Sequence, residues 1–289
     1  MTNRERTTQR EQTIAGLLFG VASIAVTGAI LIILFVLKEG WPVMFKYGPT
    51  ALLSGKVWQP TAANYGMLPL IVGSAYVTLL ALVIGVPLGV GCAVFMAEIA
   101  SETIGKITRP AINLLAGIPS VVYGFFGLVI LVPFLRAMVG GFGFSLLAGG
   151  IVLSIMILPT IISVAEDSIR AVPWEYKEAS LALGATHWQT IYKVLVPAAR
   201  SGIVAAVVLG MGRAVGETMA VIMITGNTPL VPKSVLEPGA TLTGTIGQEW
   251  AYASGEHAGA LFAVGIVLFG LIILINSIAL VCSRKKVGT

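Results

Sequence analysis

Leu68-Pro-Leu-Ile-Val-Gly-Ser-Ala-Tyr-Val-Thr-Leu-Leu-Ala-Leu-Val-Ile-Gly-Val-Pro-Leu-Gly-Val-Gly-Cys-Ala-Val-Phe-Met-Ala97 runs for 30 residues without a charged side chain. A helix needs about 20 mostly apolar residues to cross the hydrocarbon core of a bilayer. Five further stretches meet that requirement: Ile14–Leu37, Ala111–Leu135, Phe142–Ala165, Ile203–Gly226 and Gly259–Cys282. The fold class expected is an all-α membrane protein with six transmembrane helices. The first stretch is too long for the core of a signal peptide, and no small-residue cleavage site follows it, so it is expected to remain as an anchor.

Composition points the same way. Of the 289 residues, 56% are hydrophobic and 11% charged, against about 25% charged in a soluble domain. The 34 glycines suit helices that pack closely in lipid. A net charge of +5 in a soluble protein would raise nucleic acid as a partner. Here the basic residues flank apolar spans and report topology, so no nucleic acid is expected. Cys92 and Cys282 lie far apart in apolar sequence. They read as buried thiols, without disulfide or metal-ligand spacing, and neither metal nor cofactor is expected.

With both termini on one side, that side receives Arg4, Arg6, Arg10, Lys106, Arg109, Arg170, Lys177, Lys193, Arg200, Arg284, Lys285 and Lys286. The other side receives Lys38, Lys46, Lys56, Arg136 and Lys233, and Arg213 stays in the membrane. The excess of Lys and Arg puts both termini in the cytoplasm. The chain then divides into a polar, flexible N-terminus over 1–13, a span-bearing body over 14–282 and a basic tail over 283–289. Two long outer loops, 38–67 and 227–258, hold Trp41, Trp58, Tyr65, Trp250 and Tyr252. These aromatics are expected to anchor at the membrane interface, with contact to an external partner as the other possibility.

Five of the spans lack charge in their middle, and prolines recur instead: Pro87, Pro119, Pro133 and Pro159. Proline removes an amide donor and kinks a helix, which membrane bundles tolerate where neighbours satisfy the freed carbonyls. Gly117-Ile118-Pro119-Ser120 is a candidate break in the third helix.

Residues 166–198, between spans four and five, read as a cytoplasmic joint. Pro173 suits the first turn of a helix, where its missing amide costs nothing. Trp174 to Leu183 forms a short helix that Gly184 ends in the left-handed conformation. Thr186-His187-Trp188-Gln189 matches a capping box that starts a second short helix, expected to stop before Pro197. A plain surface hairpin explains these local signals equally well.

Resemblance separates the two. Glu178-Ala179-Ser180, Gly184, Ile191 and Pro197 resemble the EAA loop of ABC importer permeases, with Ser180 in place of the second alanine. The resemblance implies that Glu178, Ala179, Gly184, Ala185, Thr186 and Pro197 couple the chain to an ATPase subunit. It also implies the type I importer permease architecture in a bacterial inner membrane. Gly117-Ile118-Pro119-Ser120-Val121-Val122-Tyr123-Gly124, Tyr65-Gly66-Met67-Leu68-Pro69 and Gly212-Arg213-Ala214-Val215-Gly216-Glu217-Thr218 are similar to the PstC-type permeases of phosphate importers. That similarity runs from about Trp58 onward. It implies an ATP-binding subunit dimer, a PstA-type permease and an extracytoplasmic phosphate-binding protein as partners.

Physical reasoning about Arg213 and Glu217 agrees with an anion as cargo. A charge at mid-membrane costs about 2.5–3.5 kcal/mol on insertion scales, so these residues should face the bundle or an aqueous path. Four residues apart, they are expected to share a helix face. Arginine offers a planar set of donors to phosphate, and a nearby glutamate weakens its field enough for release. The competing possibility is an ion pair that only locks helix packing. Ser120, Tyr123 and Thr218 are further candidates along the path, with Asn113, Ser154 and Thr160 beside them, and each is equally open to an interhelical hydrogen bond. His187 and His257 fall in opposite loops and are expected to share no metal site.

The sequence has no phosphate-binding loop of Gly-x-x-x-x-Gly-Lys-[Ser/Thr] type, so the chain is not expected to hydrolyse ATP itself. One charged pair among six helices also makes a thin path, which a second permease would complete. Two alternatives stand beside the phosphate permease: a permease for sulfate or molybdate, and a membrane enzyme or assembly factor.

Overall fold

The computed structural model of the chain describes residues 3–284, with side chains from 14 to 278. The basic tail expected over 283–289 falls almost wholly outside the described residues, as do the side chains of 1–13.

Helix α1 (Asn3–Tyr47) leads into a short α2 (Pro49–Ser54) and a small antiparallel hairpin, β1 (Trp58–Gln59) and β2 (Asn64–Tyr65), in which Trp58 faces Tyr65. Helix α3 (Leu68–Val94) continues through a π turn at Phe95–Ile99. Next come α4 (Glu102–Gly117), α5 (Ser120–Phe126), a second π turn (Gly127–Leu131) and α6 (Val132–Val139). Helix α7 (Leu146–Arg170) precedes the joint, made of α8 (Trp174–Ala182), α9 (His187–Thr190), a third π turn (Ile191–Leu195) and α10 (Val196–Ala198). Helices α11 (Arg200–Gly216), α12 (Met219–Ile224), α13 (Leu242–Glu249) and α14 (Glu256–Arg284) complete the chain.

Among the described residues, five helical segments are long and apolar enough to cross a membrane, and six if His187–Ala198 and Arg200–Gly216, bent by 69°, count as one span. Four of the expected boundaries move materially. The first span runs Ile14–Tyr47, because Gly40 lets α1 lie directly on α14. A side chain there would meet the Ala263 nitrogen and Phe262 carbonyl carbon at 2.8 Å. The third runs Ser120–Val139, with residues 102–117 set apart as α4, an amphipathic helix. The fifth stops at Gly216 and restarts at Met219. Pro197 does not stop the second helix of the joint either. The π turn carries the helix through it, and the chain turns at Ala199.

Helix α7 is the axis of the bundle. Leu153, Met156, Ile157 and Ile161 are each at most 1% exposed. Ile161 enters between two glycines: a side chain at Gly89 of α3 would meet it at 2.7 Å, and one at Gly210 of α11 at 2.8 Å. Lipid gives no hydrophobic drive for helix association, so close approach of this kind supplies much of the adhesion through dispersion. Cys92, expected to be buried, is exposed on α3.

The hairpin end has its own core, in which Trp58, Tyr65, Met67, Leu70, Leu242 and Leu261 are buried. Trp58 and Tyr65 are therefore interior residues and not interface anchors, while Trp41, Trp250 and Tyr252 stay exposed. The Trp58 indole donates to the Glu249 carboxylate at 3.0 Å, and His257 Nε2 lies 2.7 Å from the same group. Burial is the first cause that pushes the Tyr65 hydroxyl above its ordinary pKa, with Tyr47 and Glu256 adding to it. Helix α1 reaches this end at Tyr47 and α14 starts from it at Glu256, where the Tyr47 hydroxyl donates to the Glu256 carboxylate at 3.1 Å.

Gly73 marks where the segment before α13 presses on α3. A Cβ there would stand 2.0 Å from the Ala240 carbonyl oxygen, whereas one at Gly91 meets nothing within 4 Å. Gly73→Ala is expected to destabilise the protein by about 1–3 kcal/mol and Gly91→Ala to be neutral. Thermal unfolding of the detergent-purified variants checks this.

Candidate functional site

Two helix breaks lie near each other, and the helices that follow them pack together. The first lies at Ile118-Pro119, both extended with ψ of 126° and 142°. Proline cannot donate, and the last carbonyls of α4 lose their helical partners. The buried Tyr123 answers this by donating its hydroxyl to the Leu115 carbonyl at 2.8 Å. The second break lies at Glu217, with φ −70° and ψ 131°. Helices α5 and α12 restart beyond the breaks and touch closely, since a Cβ at Gly124 would meet Ala220 Cα at 2.8 Å.

Glu217 therefore does not share a helix face with Arg213 as expected, and the competing ion pair does not form either. Its Oε1 accepts the Ala220 amide of α12 at 3.1 Å, the position where a carboxylate serves a helix start. Its carbonyl accepts the Thr243 hydroxyl of α13 at 2.8 Å. Thr218 turns its hydroxyl to the Gly216 carbonyl at 3.3 Å. Arg213, half-buried in the last turn of α11, reaches the Thr160 hydroxyl of α7 only at 3.5 Å. Tyr123 lies within coulombic reach of it.

Of the residues named from sequence, Ser120 and Tyr123 follow the first break, and Arg213, Glu217 and Thr218 surround the second. Ser154 is removed from this group, because its hydroxyl bonds its own helix at the Ile151 carbonyl. Asn113 sits exposed on α4.

The joint forms as two short helices around a sharp turn. Gly184 has φ +83°, and the capping box is complete, with Gln189 N to Thr186 Oγ1 at 3.2 Å and Thr186 N to Gln189 Oε1 at 2.9 Å. Glu178, Ala179, Gly184, Thr186 and Pro197 are exposed and Ala185 partly so. Glu178 accepts the Trp174 indole at 2.7 Å. Around the turn, Leu183 is 89% exposed, and Trp188, Tyr176 and Tyr192 are exposed too. An exposed apolar knob of this kind on a polar joint suits contact with a protein or a membrane.

Sequence reasoning missed the charge network beneath the joint. Glu166 of α7, 7% exposed, accepts Arg109 of α4 at 2.6 Å and Arg170 at 2.9 Å. Glu98 in the first π turn accepts Lys177 of α8 at 2.6 Å. Only the Glu166–Arg170 pair, four residues apart on one helix, had a signal that a sequence displays.

Comparison with known proteins agrees with this layout. Residues 85–287 match the family described as binding-protein-dependent transport system inner membrane component. The chain is 46% identical over 278 residues to a probable ABC transporter permease protein, YqgH, of Bacillus subtilis, covering 92% of this chain and 89% of that one. It is 34% identical over 273 residues to the phosphate transport system permease protein PstC of Mesorhizobium japonicum, covering 87% and 83%. Its fold is similar to that in a crystal structure of a bacterial ABC transporter involved in the import of the acidic polysaccharide alginate. There the TM-score is 0.65 at 16% identity, over 99% of this chain and 100% of that one.

The capping box gives a local test. Thr186→Ala is expected to cost about 1 kcal/mol at the start of α9. Hydrogen exchange at the Gln189 amide should rise about fivefold, readable by mass spectrometry of peptides spanning the joint.

Proposed function

The chain belongs to the binding-protein-dependent transport system inner membrane components, and from that membership we propose that it forms half of the translocation path for inorganic phosphate in an ATP-driven importer. It is a multi-pass inner-membrane permease subunit and not an enzyme, since its relatives are ABC transporter permeases whose ATPase is a separate subunit. That family excludes the membrane enzyme or assembly factor. In the proposed complex a PstA-type permease supplies the other half of the path and lipid surrounds both. An ATP-binding dimer docks on 166–198, and a phosphate-binding protein docks at the hairpin end. Both termini are then cytoplasmic, on the side where Lys and Arg are in excess.

The guanidinium of Arg213 carries the choice of cargo. Among the described residues its one hydrogen bond is the long one to Thr160, and the carboxylate four residues on is committed to α12. Arginine has five donors in a rigid fork that matches phosphate oxygens. The fork keeps donors to offer in a setting where an unpaired charge is costly. Ser120, Tyr123, Glu217 and Thr218 border the same two breaks and complete the proposed path. A relative named for phosphate transport that aligns with 87% of the chain favours phosphate over sulfate or molybdate.

Uptake into vesicles holding the whole complex and a matching binding protein tests this. Arg213→Gln is expected to lower phosphate uptake about 10- to 100-fold, as for loss of a charged hydrogen bond, with assembly unchanged. Wild-type uptake by that variant would refute the role, and uptake of sulfate or molybdate in place of phosphate would reassign the cargo. For the joint, Gly184→Pro cannot keep φ +83°, because proline is held near −65°. That variant should insert normally and lose transport-coupled ATP hydrolysis about tenfold or more. Unchanged coupling would count against ATPase docking at this turn.

A further inference from the structure

Helix α3 ends at the joint in a π turn, Phe95–Ile99, and side chains from four other elements reach it. Arg170 at the end of α7 donates to the Met96 carbonyl at 2.6 Å. The Thr108 hydroxyl of α4 meets the Met96 sulfur at 2.9 Å. Glu98 accepts the Lys177 ammonium of α8 at 2.6 Å, and His187 at the start of α9 stands 3.8 Å from the same oxygen. The two short helices on either side of the Gly184 turn thus converge on one carboxylate of α3.

Helix α8 has no buried residue of its own, and its main other contacts are with α9 and the π turn that follows it. Apolar burial therefore does not hold it to the bundle. The Lys177 and Glu98 side chains are 16% and 10% exposed, so each charge is largely desolvated, and removing one strands the other. The Lys177 ammonium also lies 4.8 Å from the centre of the Trp174 ring, which fixes its approach. Elsewhere the joint changes direction, at Gly184 and at the 69° turn before α11.

We propose that Glu98 is a positioning residue that ties the joint to α3, so that movement of an ATP-binding subunit against the Gly184 turn reaches α3 and is not absorbed by the joint. This rests on the docking of that subunit on 166–198 proposed above. A push on α8 meets a short ion pair to a helix packed along α7, the axis of the bundle. With the pair cut, the same push turns α8 without moving α3.

The test uses the complete complex in vesicles and compares basal ATP hydrolysis with hydrolysis stimulated by phosphate-loaded binding protein. Glu98→Gln and Lys177→Gln should each lower the stimulated rate about tenfold, and Glu98→Gln, outside the docking segment, should leave basal hydrolysis and co-purification of the ATP-binding subunits unchanged. The charge-exchanged double variant, Glu98→Lys with Lys177→Glu, should recover most of the stimulation, and Lys177→Arg should retain it. A pair that only stabilised the fold would lower assembly and both rates together, and that result would overturn the proposal. So would wild-type stimulation in the single variants, an assembled double variant no better than the singles, or a loss in Lys177→Arg equal to that in Lys177→Gln. Failure of the phosphate reading would show in the wild-type complex, whereas failure of the tie would show only in the variants.

Discussion

Every buried backbone amide and carbonyl in a membrane must find a partner within the protein, and the layout of this chain follows from where that rule is strained. Two of its helices are broken at mid-course. Each break is closed by side chains supplied for it: Tyr123 on the Leu115 carbonyl, Glu217 on the Ala220 amide and Thr243 on the Glu217 carbonyl. These bonds commit polar groups that would otherwise pair with Arg213. The arginine keeps its donors because the backbone next to it has claimed the glutamate. An unbroken helix would have put the carboxylate on the arginine's face and invited neutralisation.

The central packing sets what the breaks can do. Helix α7 lies between glycines of α3 and α11, with Ile161 filling the gap on both sides. Interfaces so close do not deform smoothly, because shifting Ile161 by even a fraction of an ångström meets backbone or forfeits dispersion. The restarted helices α5 and α12 join this core, with Tyr123, Ala220, Val221 and Ile224 buried in it. The proposed path residues sit at the breaks before those two helices. Helices α3, α7 and α11 form the frame against which the breaks are placed.

Much of this was legible in the sequence wherever the signal is local. Twenty-residue apolar windows marked the spans, and the glycine with the capping box marked the turn of the joint to the residue. Pro119 announced the first break. The second has no proline, so helical phase carried from Arg213 through Gly216 put Glu217 on a face it does not occupy. Thr243 decides that geometry from 26 residues away, which no periodicity records. The same limit hid Arg109 on Glu166, 57 residues apart, and Lys177 on Glu98, 79 apart. The π turns escaped for another reason: nothing in Phe95–Ile99 or Ile191–Leu195 departs from ordinary helical sequence. Trp58 and Tyr65 read as interface anchors because an aromatic in an outer loop gives no hint of the strand partner that buries it.

The two ends of the bundle are held by different physics, and the difference suits a machine driven from one side. At the hairpin end the ion pair between Lys46 and Glu256 is solvated, with side chains 61% and 36% exposed, and such pairs add little. That end coheres chiefly through buried Trp58, Tyr65, Leu70 and Leu261, with the Trp58 indole and His257 on Glu249 as its polar contacts. At the joint end the charges of Glu98 and Glu166 are desolvated and held at 2.6 Å by cations from other elements. Such contacts are directional and costly to separate. An end fastened this way passes on a displacement. In the proposed complex, a displacement delivered at the joint is passed toward the breaks through these desolvated pairs.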